Sequence, residues 1–262
     1  TAGAIAMTDN TASDAFIVTQ LKQNGALILG KTNLSEWAYF FCGECPSGYS
    51  AVGGQTLNPY GRKVFDTGGS SSGSGVASSM NFAVATVGSE TAGSILSPAA
   101  ANSVVGLKPT IGMLSRTGIV PISSTLDTPG PITKNVIDTG IMMSAMFGND
   151  TDDSASLKTD FDVYWFTNYF VNEEMPFESK SFGVYKDLLK DTLYANAVEI
   201  LKKKGAKIFE LESKESELNG FLTLLNIDMR NDLPKYLKNN ASKKLSISSV
   251  QDVIDFNKKD SI

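Results

Sequence analysis

Two stretches of glycine and serine lie close together in this chain. The first is Gly68-Gly69-Ser70-Ser71-Ser72-Gly73-Ser74-Gly75, and the second is Gly88-Ser89-Glu90-Thr91-Ala92-Gly93-Ser94. A short apolar segment, residues 76–87, joins them. Serine brings a hydroxyl that can attack a substrate or relay a proton. Glycine lets the backbone approach a ligand closely. One such loop is most simply a tight turn. Two at this spacing point to a site built of hydroxyls and backbone N–H groups.

Several chemistries drop out at once. The chain contains no histidine, so it cannot build a Ser-His-Asp or Cys-His machine by itself. Gly69-Ser70-Ser71-Ser72-Gly73 matches the G-x-S-x-G nucleophile elbow with Ser71 at its centre, but that elbow needs a histidine partner. A phosphate-binding P-loop needs a lysine that is missing here, and no G-x-G-x-x-G turn follows a strand. What remains is a serine served by another base. A lysine can do this when burial lowers its pKa toward neutrality. Ser94 follows Thr91-Ala92-Gly93, small residues whose N–H groups can converge on one point as an oxyanion hole. Ser70 is placed to pass a proton between Ser94 and such a lysine.

The two cysteines, Cys42 and Cys45, form a C-x-x-C pair. This spacing suits a redox motif or half of a zinc site. A zinc site would need further ligands, and the Gly43, Pro46, Ser47 and Gly48 surroundings read as a turn rather than the strand-to-helix junction of a thioredoxin-like motif. Two ordinary loop cysteines are the simpler expectation, and no metal or cofactor is expected.

Composition fits a soluble globular protein, with 42% hydrophobic and 19% charged residues. A net charge of -5 weighs against a nucleic-acid partner. No apolar run reaches the ~20 residues of a membrane helix. The expected setting is the cytoplasm and the expected partner a small molecule, with a homodimer also admitted.

Taken together, the motifs resemble the amidase signature family of amide hydrolases. The resemblance rests on the two loops, on Gly106-Leu107-Lys108-Pro109-Thr110, and on Ser70 and Ser94 standing 24 residues apart. Gly25-Ala26, Gly30-Lys31-Thr32-Asn33, Glu36, Gly53-Gly54-Gln55, Asn58-Pro59 and Asp127-Thr128-Pro129-Gly130-Pro131 extend it. It implies a Ser-Ser-Lys triad acting on a carbon–nitrogen amide bond. Ser94 would be the nucleophile. Ser70 would be the bridging serine, preceded by a cis Gly69–Ser70 peptide. The N–H groups of Thr91, Ala92, Gly93 and Ser94 would form the oxyanion hole. The family's lysine would precede Thr1, and Lys31 and Lys108 would keep structural roles within their own motifs. The resemblance therefore implies an internal fragment, without the catalytic lysine and the C-terminal part, that is inactive in isolation.

Three residues depart from common family patterns. Glu90 stands for Asp, Ala92 for Gly, and Leu96 for Arg. Leu96 weighs against the alternative of an amidotransferase subunit that supplies ammonia from glutamine. A non-catalytic binding relative is the other alternative. Substrate walls are expected from residues 42–50 and 123–127.

The elements that must position these residues follow an α/β order, with a mixed sheet covered by helices on both faces. Residues 11–14 offer helix caps, and Ala15, Ile17, Val18 and Leu21 recur at helical spacing until Asn24-Gly25. Residues 26–29 read as a buried strand and 34–40 as a short helix. Residues 74–82 read as a helix out of the first loop, 83–87 as a buried strand, and 98–102 as a helical turn. Residues 42–63 and 111–131 read as irregular. A helix over 135–147 would bury Val136, Ile137, Ile141, Met143 or Ser144, and Phe147 on one face, with Met142, Met143 and Met146 as core filler. The aromatic run 161–170 reads as core. Then come a strand at 181–185, a helix at 192–204, a strand at 206–211, and helices at 215–237 and 250–257. The whole is expected to be one amidase-signature domain, incomplete at both ends. Its signature core is 1–147, and 148–262 is a peripheral α/β part.

Overall fold

A computed structural model describes residues 1–158, 177–213 and 218–259. It forms two compact units, Thr1–Thr167 with Leu222–Ile262, and Asn168–Phe221. The aromatic run 161–170 and residues 215–217 of an expected helix lie outside the described residues.

The first unit opens with α1 (Phe16–Gln23), which buries Ile17 and Leu21. Its N-cap is Ala15, with no side-chain cap, so the polar residues 11–14 do not take the capping role expected of them. Residues 26–29 do not form a strand. Leu27 and Leu29 are 88% and 74% exposed. Their apolar run fits a buried strand, yet a strand needs a neighbour to bond, and no ladder among the described residues includes them. A 3₁₀ turn, Glu36–Tyr39, stands where a short helix was expected, and it is left-handed at Trp37 and Ala38. The short strands β1 (Tyr49–Ser50) and β2 (Gly54–Gln55) pair antiparallel within the stretch expected to be irregular. Cys42 and Cys45 are joined in a disulfide.

The first Gly/Ser loop runs into α2 (Ser72–Ser79). Next comes β3 (Ala85–Glu90), which absorbs Gly88, Ser89 and Glu90 and so continues three residues beyond the expected strand. Then follow α3 (Leu96–Ala101), β4 (Val105–Gly106) and β5 (Thr128–Thr133). The antiparallel order is β3-β5-β4. Thus β5 is the central strand, although Pro129 and Pro131 made the segment read as irregular. The Leu107 N–H donates to the Pro131 carbonyl (3.1 Å). Pro131 and its odd-numbered neighbours therefore turn their backbone polar side toward β4, where the ladder has only two residue pairs. The missing proline N–H groups fall on the side that makes little use of donors.

Helices cover both faces of this sheet. Thr133 reaches Thr139 of α4 (Val136–Met146) through their hydroxyls (2.6 Å), while the adjacent Ile132 packs with Ile95 and Ala99 on the α3 side. Every residue of β5 is buried. Asn135 caps α4 by accepting the Asp138 N–H. The face α4 buries is Thr139, Gly140, Met143 and Met146. Val136, Ile137 and Ile141 are about half exposed, so the helix is rotated from the orientation its apolar residues suggested. Thr139 is drawn inward by its bond to Thr133. The methionines do fill the core, with Met143 and Met146 fully buried beside Leu21 and Leu114.

The second unit is a strand–helix–strand piece. It comprises β6 (Ser181–Tyr185), α5 (Thr192–Lys203, capped by Asp191) and β7 (Lys207–Leu211), with the strands parallel. Its described residues bury only Val184 and Val198 among the large apolar side chains. The chain then returns to the first unit as α6 (Phe221–Asn239) and α7 (Val250–Lys259). There Met229, Leu233 and Val253 join Met7 and Trp37 in a second core cluster.

Candidate active site

The site is assembled where β3 ends and α2 begins. The 68–75 loop is held by its own serines. Ser72 donates to the Gly68 carbonyl (2.6 Å), Ser74 to the Val87 carbonyl (2.8 Å) and Ser71 to the Ser89 carbonyl (3.1 Å). The Ser89 N–H returns a bond to the Ser71 hydroxyl (3.1 Å). Ser71, central to the G-x-S-x-G match, is thus spent on pinning the loop to β3. Each bond replaces hydration that a buried serine would otherwise lose.

The Gly69–Ser70 peptide is cis. Ser70 is buried, and its carbonyl accepts the Ser35 N–H (3.0 Å). Gly69 has no room for a side chain, since a Cβ there would lie 2.1 Å from the Tyr39 Oη. The Ser71 N–H donates to the Ser94 carbonyl (3.2 Å), which ties the two loops together beside the candidate residues. Ser70, Thr91 and Ser94 all line one cavity of about 570 Å³.

The turn 91–94 leaves its backbone donors uncommitted. Among the described residues no hydrogen bond runs from the N–H groups of Thr91, Ala92, Gly93 or Ser94. The Glu90 carboxylate instead takes the next two, Ile95 (2.7 Å) and Leu96 (3.0 Å). It thereby anchors the start of α3 and favours the helix end electrostatically. Gly93 sits at φ +82°, with nothing near its missing side chain, so conformation rather than space selects glycine there.

The opposite wall comes from residues 116–124, 127–129, 152–154 and α6. Ser123, Ser124 and Asp127 line the cavity as expected, but residues 42–50 do not. Cys42, Cys45 and Tyr49 line a separate cavity of about 380 Å³ with Glu36, Trp37 and Phe41. Arg116 and Asp153 form a two-pronged ion pair (2.9 and 2.6 Å), and the Arg116 backbone N–H adds a third bond (2.8 Å). Arg116 also donates to the Ser124 carbonyl. Burial by itself would raise the Asp153 carboxyl, but Arg116 brings it down to about 2. The arginine is fully engaged and acts as a brace. From α6, Asp228 accepts the Ser123 hydroxyl (2.5 Å) and Asp232 the Ser124 N–H (2.8 Å). Sequence reading missed Arg116, Asp153, Asp228 and Asp232 because their partners are 8 to 108 residues away.

Lys31 and Lys108 are not among the cavity-lining residues. Lys235 is, but its side chain is 70% exposed and paired with Asp232 (3.1 Å), the reverse of the desolvated setting that makes a lysine a base. Among the described residues, no cluster of carboxylates or thiols is arranged to hold a metal, and no helix is long and apolar enough to cross a membrane.

Comparison with known proteins agrees with this architecture. A family model described as Amidase matches residues 1–261. A relative from Arthroderma benhamiae, provisionally named an amidase, is 39% identical over 209 residues, which is 76% of this chain and 35% of that protein. A glutamyl-tRNA(Gln) amidotransferase subunit from Lawsonia intracellularis is 37% identical over 206 residues, 76% of this chain and 40% of its own. The solved peptide amidase of Stenotrophomonas maltophilia superposes with a TM-score of 0.87 at 38% identity, over 98% of this chain and 53% of that one. The chain spans about a third to a half of the length of the curated relatives it matches.

Proposed function

The chain belongs to the amidase family, and on that premise we propose that it carries the nucleophile, bridging serine and oxyanion loop of an amide hydrolase. The observation that supports this most is the uncommitted 91–94 turn, ending in Ser94, on the same cavity as Ser70.

In this reading the Ser94 hydroxyl attacks the amide carbonyl. Its proton passes through the Ser70 hydroxyl to a neutral lysine. Charge developing on the carbonyl oxygen meets the N–H groups of Thr91 to Ser94, donors fixed before the reaction begins. The lysine returns the proton through Ser70 to the departing nitrogen. The amine leaves, and the acyl group stays on Ser94 until water removes it, giving carboxylate. Lys31 and Lys108 do not line the cavity, and Lys235, which does, is exposed and paired with Asp232, so none of these three is assigned the base's role.

The substrate class is a carboxamide small enough for the cavity, with the peptide amidase as the structural guide. A second reading is supported by the likeness to the amidotransferase subunit, in which glutamine is the ammonia source. Leu96 weighs against it, and hydrolysis of glutamine compared with a peptide amide separates the two.

The test uses the full-length protein. A serine-directed fluorophosphonate should label Ser94, located by peptide mass spectrometry, and Ser94→Ala should reduce amide hydrolysis by about 10⁴-fold or more. An adduct on Ser71 or Ser74 instead would refute the nucleophile assignment. No adduct at all would favour a non-catalytic binding protein.

A further inference from the structure

The oxyanion turn and the cavity wall meet at one carboxylate. In the antiparallel ladder Glu90 is paired with Thr128, so the next residue outward on each strand, Thr91 and Asp127, face each other. The Asp127 Oδ1 accepts the Thr91 hydroxyl (2.5 Å). Its Oδ2 accepts the N–H groups of Ile122 (2.8 Å) and Ser123 (2.8 Å). All three donors belong to residues that line the cavity. The wall residues Ser123 and Ser124 are in turn held by Asp228 and Asp232 of α6. Asp127 is therefore the link between a braced wall and the turn that begins at Thr91.

The link is made through both oxygens of one side chain. A carboxylate accepts at both oxygens; an amide could keep the two backbone N–H bonds on its oxygen and donate its NH₂ to the Thr91 hydroxyl, which also accepts, whereas alanine would remove all three bonds. Burial pushes the Asp127 carboxyl up, against the bonds from Thr91, Ser123 and Ile122 and the nearby Arg116 charge, which pull it down. A half-buried carboxylate kept for three donors in a cavity wall has a cost that the fold could avoid with a neutral residue.

We propose that Asp127 is a positioning residue for the reaction: through the Thr91 side chain it fixes the N–H groups of the 91–94 turn relative to the 122–124 wall on which a substrate's acyl portion would rest. The proposal rests on the amide-hydrolase reading and adds to it a coupling between substrate wall and oxyanion turn. It acts through Thr91 and touches no reacting atom.

The experiment measures kcat and KM for a primary amide, and the rate of Ser94 labelling by a fluorophosphonate, in the full-length protein. Asp127→Ala and Thr91→Val should each lower kcat by about 10- to 100-fold, as small displacements of fixed groups do, with KM changed by less than about threefold. Thr91→Ser restores the hydroxyl and should regain at least about tenfold of the loss in Thr91→Val. The double variant should be no worse than about threefold below Asp127→Ala, because both changes cut one connection. Thr91→Val leaves both backbone bonds to Asp127 intact, so it reports on the link even where Asp127→Ala is poorly folded. A loss confined to KM, a Thr91→Ser variant as poor as Thr91→Val, or two losses that multiply would each overturn the proposal. Failure of the wild-type protein itself to react would be a separate result, removing the hydrolase reading and the positioning role with it.

Discussion

The Gly/Ser region around residues 68–94 and the strand–helix–strand unit around residues 181–211 are organised in opposite ways. In the first, Ser70, Ser71, Ser72, Ser74, Thr86 and Glu90 are buried while few large apolar side chains are present. Order there comes from hydroxyls bonded to carbonyls across loops. In the second, secondary structure is regular, yet Leu193 is 80% and Phe209 56% exposed. Its apolar residues make a helix and two strands without making much core. The contrast teaches that a short polar loop can be fixed tightly when each hydroxyl has a backbone partner. Regular elements by themselves bury little.

The comparison can be broken at its strongest point first. Removing the Arg116 brace strands Asp153, whose side chain is only 4% exposed. Arg116→Ala should cost about 3 kcal/mol in urea denaturation. The same pair gives a pH signature. The Asp153 carboxyl is held at about 2, below its unfolded value. Its stabilisation is therefore present above the ordinary carboxylate range and lost as pH falls through about 2. Between about pH 4 and 2, Asp153→Asn should flatten the stability curve that the wild type loses.

A smaller effect is expected at Gly69. Its alanine variant drives a methyl into the Tyr39 Oη and the Ser35 Oγ. Gly69→Ala should destabilise by about 2 kcal/mol, and adding Tyr39→Phe, which removes the closest atom, should recover part of it. No recovery would mean that the conformation of the loop, rather than the phenol, demands glycine.

Ser74→Ala gives up bonds to the Val87 carbonyl and the Thr32 hydroxyl. A loss of about 1 kcal/mol is expected, read from the shift in urea midpoint. At the far end of the range, Phe209→Ser in the second unit should change stability by less than about 0.5 kcal/mol. If it were as costly as Ser74→Ala, the exposed face would have a partner in solution, and the contrast between the regions would narrow.

The second unit was more legible in the sequence than the first. Residues 181–185, 192–204 and 206–211 fall within a residue of the observed elements, because Asp191 caps, Gly205 stops and the apolar spacing are local signals. The first unit hides its central strand. Nothing local marks residues 128–133 as the middle of a sheet, since two prolines interrupt them. Only the direction in which their backbone faces β4 makes them tolerable there. The exposed run at residues 26–29 shows the converse, an apolar pattern without a neighbouring strand to make it one.

The sequence by itself determined the two loops, the 24-residue spacing of Ser70 and Ser94, and the absence of histidine, which rules out a histidine base within these 262 residues. Those depend on residue identity and short spacing, which the chain carries whatever its fold. The tertiary structure decided which face α4 buries, that Cys42 and Cys45 are joined, and that the cavity wall comes from residues 116–124 and α6 rather than 42–50. It also set Thr91 opposite Asp127. These follow from strand register and from side chains meeting across distant segments. Such contacts depend on how far apart two groups lie in space, which sequence separation does not fix.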